Sequence, residues 1–163
     1  MRYHNITKDD MLNGDGLRVV LWTAGCSHGC KECQNPITWD PEGGLLFDEA
    51  TKKEIFEELD KDYISGITFS GGDPLHISNR EMIEEVAREI KEKYSNKTIW
   101  LYTGFLWEEI KDFEIVKSLD VVVDGKFEVD KKSEQLHWKG SSNQRVIDVK
   151  KTLETDQLVL YSR

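Results

Sequence analysis

The sequence predicts an α/β fold with a mostly parallel sheet, in the form of an incomplete, open (β/α) barrel. Short β-branched segments alternate with segments of helical periodicity, which is typical of parallel strands joined by helical crossovers. Polar and glycine-rich turns follow several predicted strands, where such sheets build their sites. A closed barrel typically needs about 250 residues. This chain has 163, so an open barrel fits its length better.

Strands are predicted in six places, and four of them are followed by polar turns. The predicted ranges are 17–26, 66–72, 98–104, 120–125, 144–149 and 157–161, the last as an edge strand. The polar turns are Cys26–Cys33, Gly71–Asp73, Thr103–Gly104 and Asp124–Lys126. Because the carboxyl ends of parallel strands share one edge of a sheet, we expect these four turns to lie together at that edge, which we call the mouth of the barrel.

Helical periodicity predicts three helices between these strands. The first runs from Asp48 to Tyr63, with Tyr63 on its apolar face. The second begins at Ser78 as N-cap, with Glu81 completing a capping box. Its apolar stripe consists of Met82, Ile83, Val86, Ala87 and Ile90. The third runs over residues 106–119 with a break near Asp112.

Length and composition favour one soluble domain over residues 1–163. The net charge of −9 argues against nonspecific binding to nucleic acid, which needs a basic face. The apolar runs are far shorter than the roughly 20 residues of a membrane-spanning helix. The first residues contain no apolar signal region, so we expect a cytoplasmic protein with reduced thiols. Neither nucleic acid nor a membrane is expected as a partner.

All three cysteines, Cys26, Cys30 and Cys33, lie in the stretch "CSHGCKEC". Three soft thiolates in one segment can hold a metal ion or one corner of a cluster. A structural zinc site usually has four ligands, so His28 or His4 would have to supply the fourth. A ferredoxin would need a fourth cysteine. The interpretation we favour is a 4Fe–4S cluster with three cysteine ligands and one open iron; a zinc-binding module is the alternative.

The spacing Cys-x3-Cys-x2-Cys after the first of these predicted strands resembles that of the radical S-adenosylmethionine enzymes. "SGGDP" (Ser70–Pro74) is similar to their Gly-Gly-Glu segment, with Asp73 in place of glutamate. The resemblance implies the radical S-adenosylmethionine barrel and a 4Fe–4S cluster on Cys26, Cys30 and Cys33. It also implies that the open iron binds S-adenosylmethionine, which one electron then cleaves.

The resemblance further implies which residues contact the cofactor. Gly71, Gly72 and Asp73 would hold the amino end of the methionine moiety, because glycine permits close approach and a carboxylate pairs with an ammonium. Thr103 lies where related enzymes contact the cofactor. Lys126 matches a lysine that approaches the methionine carboxylate.

The last part of the cysteine segment differs from the wider family at one position. Glu32 stands where an aromatic residue commonly packs near the adenine. The backbone of Glu32, Cys33 and Gln34 is still expected to contact the nucleoside.

Longer segments narrow the resemblance to enzymes that activate glycyl-radical enzymes. "CQNPITW" (33–39), "VDGKF" (123–127) and "KGSSNQRVID" (139–148) resemble activases of anaerobic ribonucleoside-triphosphate reductase. The resemblance implies that the substrate is the large reductase subunit, on one glycine of which a radical forms. A flavodoxin-like or other low-potential protein would donate the electron. A radical S-adenosylmethionine enzyme with a small-molecule substrate remains an alternative.

The sequence does not assign a definite role to two other side chains near the predicted mouth. Arg145 either binds a carboxylate there in a fork or pairs with one of the protein's own acids. His76 is expected to organise the turn that follows Pro74.

Overall fold

The structure is a computed structural model that describes residues 1–25, 44–133 and 136–162. Seven strands in these residues form one mixed sheet. They are β1 (Arg2–Asp10), β2 (Arg18–Thr23), β3 (Leu45–Leu46), β4 (Gly66–Gly71), β5 (Thr98–Tyr102), β6 (Val121–Asp124) and β7 (Arg145–Asp148). Their order across the sheet is β3-β1-β2-β4-β5-β6-β7.

The middle of the sheet is parallel, as predicted. β2 pairs with β4, β4 with β5 and β5 with β6 in parallel register. β1, β3 and β7 extend this centre with antiparallel pairs on its two sides. The carboxyl ends of β2, β4, β5 and β6 therefore lie along one edge of the sheet.

In the described part of the chain, four α-helices accompany the strands. They are α1 (Glu49–Leu59), α2 (Arg80–Lys93), α3 (Trp107–Ile110) and α4 (Val149–Thr155). A 3₁₀ helix, Glu114–Ser118, follows α3, which confirms the predicted break near Asp112. Among the described residues, no helix is long and apolar enough to cross a membrane.

The main core forms where α1 and α2 pack on one face of the sheet. Ile55 and Leu59 of α1 are fully buried against alternate residues of the central strands. The predicted stripe of α2 is confirmed, since Ile83, Val86, Ala87 and Ile90 are buried and Met82 packs against the same core. Burial of these side chains, together with the apolar side chains of the strands they cover, contributes the apolar driving force for the fold.

The other face of the sheet carries a buried cation and an aromatic cluster. The Arg18 guanidinium donates hydrogen bonds to the hydroxyls of Thr68 and Thr98 and to three backbone carbonyls. Burial lowers the pKa of Arg18 to about 10. Trp100 packs edge-on against Trp138 and Tyr161, with ring centroids 5.1 Å apart in both pairs.

Two predictions about helix ends are wrong. The N-cap of α2 is Asn79 rather than Ser78, and no capping box with Glu81 is found in the described start of the helix. Tyr63 lies beyond the end of α1 and is 55% exposed, because the chain turns away after Leu59.

Two strands and one α-helix of the described residues lie outside the predictions, and one predicted strand is absent from these residues. β1 is mostly polar and only partly buried, and β3 consists of two exposed leucines at the edge of the described sheet, so neither sequence has a buried apolar run. α4 is a short helix capped by the Asp148 side chain. Residues 157–161 add no strand to the described sheet, since only Leu160 forms a bridge, to Ile147.

Asp120 joins three elements at the amino-terminal side of β6. Its carboxylate accepts hydrogen bonds from Lys91 (2.5 Å), Lys150 (3.0 Å) and the Ile99 N–H (2.7 Å). Burial raises the pKa of Asp120, but these three donors outweigh burial, and the net pKa lies below the ordinary 3.8. The folded protein therefore binds this proton less readily than the unfolded chain does.

We predict that Asp120→Asn lowers the free energy of unfolding by about 1–3 kcal/mol at about pH 7. The stabilisation from the carboxylate is complete above the ordinary pKa and is lost as the pH falls through the lowered one. Urea unfolding should therefore show the two proteins converging below about pH 4. A difference that does not change with pH would contradict this account, and Asp112→Asn, at an exposed position, is the control.

Candidate active site

The ends of β2 and β4 are joined by backbone hydrogen bonds at the carboxyl edge. The Gly72 N–H donates to the Thr23 carbonyl (2.9 Å), and the Asp73 N–H donates to the Gly25 carbonyl (2.7 Å). Gly25 directly precedes Cys26 in the chain. The segment that leads into the cysteines thus lies against the "SGGDP" segment.

Gly71 meets β2 too closely for any side chain. Its φ is +103°, and a Cβ there would clash with the backbone of Thr23. Glycine is needed here for both the left-handed conformation and the close approach. The first glycine of the motif therefore has a packing role that the sequence pattern did not distinguish from ligand binding.

The side chain of Asp73 connects β4 to the end of β5. Asp73 is 1% exposed. Its carboxylate accepts hydrogen bonds from the Thr103 hydroxyl (2.9 and 3.0 Å), the Gly104 N–H (2.9 Å) and the Leu75 N–H (2.9 Å). Thr103 is itself buried. The structure thus brings Gly71, Gly72, Asp73 and Thr103 together.

The turn after β6 is held from the opposite side by the segment before β7. The Gln144 amide donates to the Gly125 carbonyl (2.9 Å), and the Asn143 amide donates to the Lys126 carbonyl (2.8 Å). The Gly125 N–H in turn donates to the Phe105 carbonyl (3.0 Å) beyond β5. These bonds fix the backbone of a turn whose Lys126 side chain is exposed.

Arg145 pairs with two acids of the protein. Its guanidinium donates to the buried Asp124 carboxylate and to Glu108 (2.9 Å). The hydrogen bond with Asp124 raises the pKa of Arg145 above its usual range. The hydrogen bond from Arg145 lowers the pKa of Glu108. Of the two roles considered for Arg145, the structure shows the internal ion pair.

His76 lies in the turn after Pro74, as expected. Its Nδ1 is 2.7 Å from the Ser78 hydroxyl, and its backbone N–H donates to the Asp73 carbonyl (3.0 Å). The side chain therefore contributes to the local turn.

The residues predicted to hold the cluster and the nucleoside lie outside the described residues. These are Cys26, Glu32, Cys33 and Gln34, together with Cys30. The described chain stops at Gly25 and resumes at Gly44. Their roles stay predictions.

Sequence reasoning missed several residues that build this edge. Asn79, Asp124, Gln144 and Glu108 hold the strand ends through side-chain hydrogen bonds. Gln144 and Asp124 fall in segments singled out for their resemblance, but their sequence gives no sign of which group each would bind.

Comparison with protein families defines the class of this chain. Residues 12–147 match the family described as "4Fe-4S single cluster domain". The matched range includes all three cysteines and every residue of the joined strand ends named above. The domain is thus of the iron–sulfur class.

Individual relatives define the family within that class. The chain is 44% identical over 146 residues to the "Anaerobic ribonucleoside-triphosphate reductase-activating protein" of Enterobacteria phage T4, covering 90% of this chain and 93% of that one. It is 39% identical over 150 residues to the protein of that name from Escherichia coli K12, covering 90% and 97%. The chain belongs to the family of anaerobic ribonucleoside-triphosphate reductase-activating proteins.

We predict that Asp73→Asn lowers the free energy of unfolding by about 1–3 kcal/mol. The amide would turn an NH₂ group towards one of the backbone N–H donors, so a buried hydrogen bond is lost and two donors face each other. Thermal unfolding of the cluster-free protein measures the change. Asp130→Asn, at an exposed position, makes the same chemical change and should have little effect; equal effects of the two substitutions would argue against the role of Asp73.

Proposed function

We propose that this protein activates an anaerobic ribonucleoside-triphosphate reductase by forming a glycyl radical on its large subunit. In this proposal S-adenosylmethionine is cleaved reductively at a 4Fe–4S cluster, and a hydrogen atom is removed from one glycine of the reductase. The observation that carries the proposal is the hydrogen bond between Asp73 and Gly25, which joins the "SGGDP" segment to the residue before Cys26. The relatives' name supports the reductase as partner.

The donor set of the chain fits the proposed cluster. Three cysteines in one segment supply three thiolates, which are the ligands that iron–sulfur clusters take, and leave one iron open. We assign these ligands to Cys26, Cys30 and Cys33. When bound, the cluster would supply one electron for cleavage of a carbon–sulfur bond of S-adenosylmethionine, with methionine as the leaving group and the glycine hydrogen ending on 5′-deoxyadenosine.

The joined strand ends position groups suited to the amino acid part of S-adenosylmethionine. The backbone of Gly72 and Asp73 is hydrogen-bonded to Thr23 and Gly25, which precede the cysteine segment in the chain, and the buried Asp73 carboxylate lies at the same strand ends. A negative site favours an ammonium group. Thr103 lies within the same hydrogen-bonded group. We propose that the site for the amino end consists of Gly71, Gly72, Asp73 and Thr103.

The remaining contacts are proposed for the other end of the mouth. The exposed ammonium of Lys126 would pair with the methionine carboxylate, since the turn that bears it is fixed to the ends of β5 and β7. The backbone of Glu32, Cys33 and Gln34 would contact the nucleoside. A flavodoxin-like or other low-potential protein would supply the electron, because this chemistry uses the low end of cluster potentials.

The proposed cofactor site also agrees with the barrel fold that we propose for the chain. The parallel centre of the sheet, with its site at the carboxyl edge, suits the incomplete open barrel of the radical S-adenosylmethionine type. We propose that residues 1–163 form one such domain. An open mouth also suits a protein substrate, and glycine is the residue whose α-carbon is least shielded, because it has no side chain.

We predict that Cys30→Ala abolishes both cluster assembly and cleavage of S-adenosylmethionine. Only two of the three thiolates would remain, so the cluster loses an essential ligand. The measurements are iron and sulfide per chain after anaerobic purification, and 5′-deoxyadenosine formed in the presence of a strong reductant. The circular dichroism spectrum should stay close to that of the unaltered protein.

Two results would overturn the proposal. One is a colourless unaltered protein that contains zinc and neither iron nor sulfide. The other is a Cys30→Ala variant that makes 5′-deoxyadenosine at the rate of the unaltered protein. Ser27→Ala, which changes a neighbouring residue without removing a thiol, is the matched control.

A further inference from the structure

Asn79 lies beneath the joined ends of β2 and β4. It is 1% exposed. Its side-chain Nδ2 donates two hydrogen bonds, to the Ala24 carbonyl (2.8 Å) and to the Asp73 carbonyl (3.0 Å). Ala24 stands two residues before Cys26 in the chain. One amide group therefore links Ala24, just before the cysteine segment, to Asp73 of the "SGGDP" turn.

The position of Asn79 in the chain would ordinarily indicate a different role. It is the N-cap of α2, and asparagine is favoured there because its side-chain oxygen accepts a hydrogen bond from the first turn. The Asn79 side chain makes no such bond to the described residues of α2. Its Oδ1 lies 3.4 Å from the Ser78 hydroxyl instead. The amide nitrogen, rather than the oxygen, is the group that the fold uses.

This chemistry separates asparagine from the other good N-cap residues. Aspartate has nearly the same shape but no donor, and its oxygens would face two carbonyl oxygens. Serine has a single O–H and cannot serve both carbonyls. A residue chosen only to cap α2 could be any of the three, whereas the contacts to Ala24 and Asp73 need the amide.

We propose that Asn79 is a positioning residue that holds Ala24, two residues before Cys26, against Asp73, and that the reaction depends on its amide nitrogen. This inference rests on the proposed function, in which the cluster and the amino end of S-adenosylmethionine meet at this point. Asn79 acts through Ala24 and Asp73 and touches neither group itself. The Gly25–Asp73 backbone hydrogen bond is the contact that it supports most directly.

The first test uses hydrogen exchange in the full-length, cluster-free protein. Asn79→Asp should raise the exchange rate of the Asp73 amide about tenfold, because two buried hydrogen bonds beside it are lost. Asn96→Asp, at an exposed position in the turn before β5, makes the same change of charge and should leave this amide unaffected. If capping were the role of Asn79, aspartate would replace it well, and an unchanged Asp73 amide would overturn the proposal.

The second test asks whether the cofactor site depends on the same bonds. Asn79→Asp and Asn96→Asp are both reconstituted without oxygen, and the iron per chain is measured. The electron paramagnetic resonance spectrum of each reduced variant is then recorded with and without S-adenosylmethionine, to measure the change that the cofactor causes. The proposal predicts less iron and a lost spectral change only in Asn79→Asp. Should that variant not fold, Asn79→Ala, which removes the donor without adding charge, takes its place in both tests.

The outcomes separate this inference from the function on which it rests. A position 79 variant with a normal spectral change overturns the positioning role, even when its Asp73 amide exchanges faster. An unaltered protein that itself binds no iron and shows no response to S-adenosylmethionine overturns the proposed function. In that case the exchange measurement still decides whether Asn79 holds Ala24 to Asp73.

Discussion

Asp73 joins the ends of three neighbouring strands, because its backbone binds Gly25 after β2 while its carboxylate binds Thr103 and Gly104 after β5. Burying a carboxylate is costly unless its oxygens receive hydrogen bonds. The donors must therefore stay in place for the buried charge to be tolerated, and the three strand ends are fixed relative to one another. These hydrogen bonds connect the ends of β2, β4 and β5 as far as Gly25, the residue before Cys26.

A second buried carboxylate, that of Asp124, connects β6 and β7 in the same way. Asp124 is fully buried and accepts hydrogen bonds from Arg145 and from the Trp107 N–H, so it connects β6 with the start of α3 and with β7. Gln144 then fixes the turn at Gly125. Two buried aspartates, each at a strand end and each satisfied by a neighbouring strand, thus organise the whole edge. In the proposed function this edge carries contacts at both ends of the methionine moiety.

Much of the fold could be predicted because buried strands and amphipathic helices carry periodic apolar patterns. The stripe of α2 and the strands β2, β4, β5 and β6 follow this rule. β1 could not be predicted, since its mostly polar sequence carries no apolar pattern and the strand is defined by its pairing with β2 and β3. That Gly71, Gly72, Asp73 and Thr103 lie together could be predicted from the polar turns that follow the parallel strands, whereas the roles of Cys26, Cys30 and Cys33 stay predictions. The hydrogen bonds from the Asn79 amide nitrogen could not be predicted. An asparagine at an N-cap has the same sequence context whether its side-chain oxygen or its side-chain nitrogen makes the contact.

In the proposed function, this edge serves a reaction whose substrate is a protein backbone. Electron paramagnetic resonance tests it most directly, on a mixture of the reduced protein, S-adenosylmethionine and the large subunit of an anaerobic ribonucleoside-triphosphate reductase. We expect a glycyl-radical doublet that stays with the reductase when the two proteins are separated. Cleavage of S-adenosylmethionine without any radical on the reductase would contradict it.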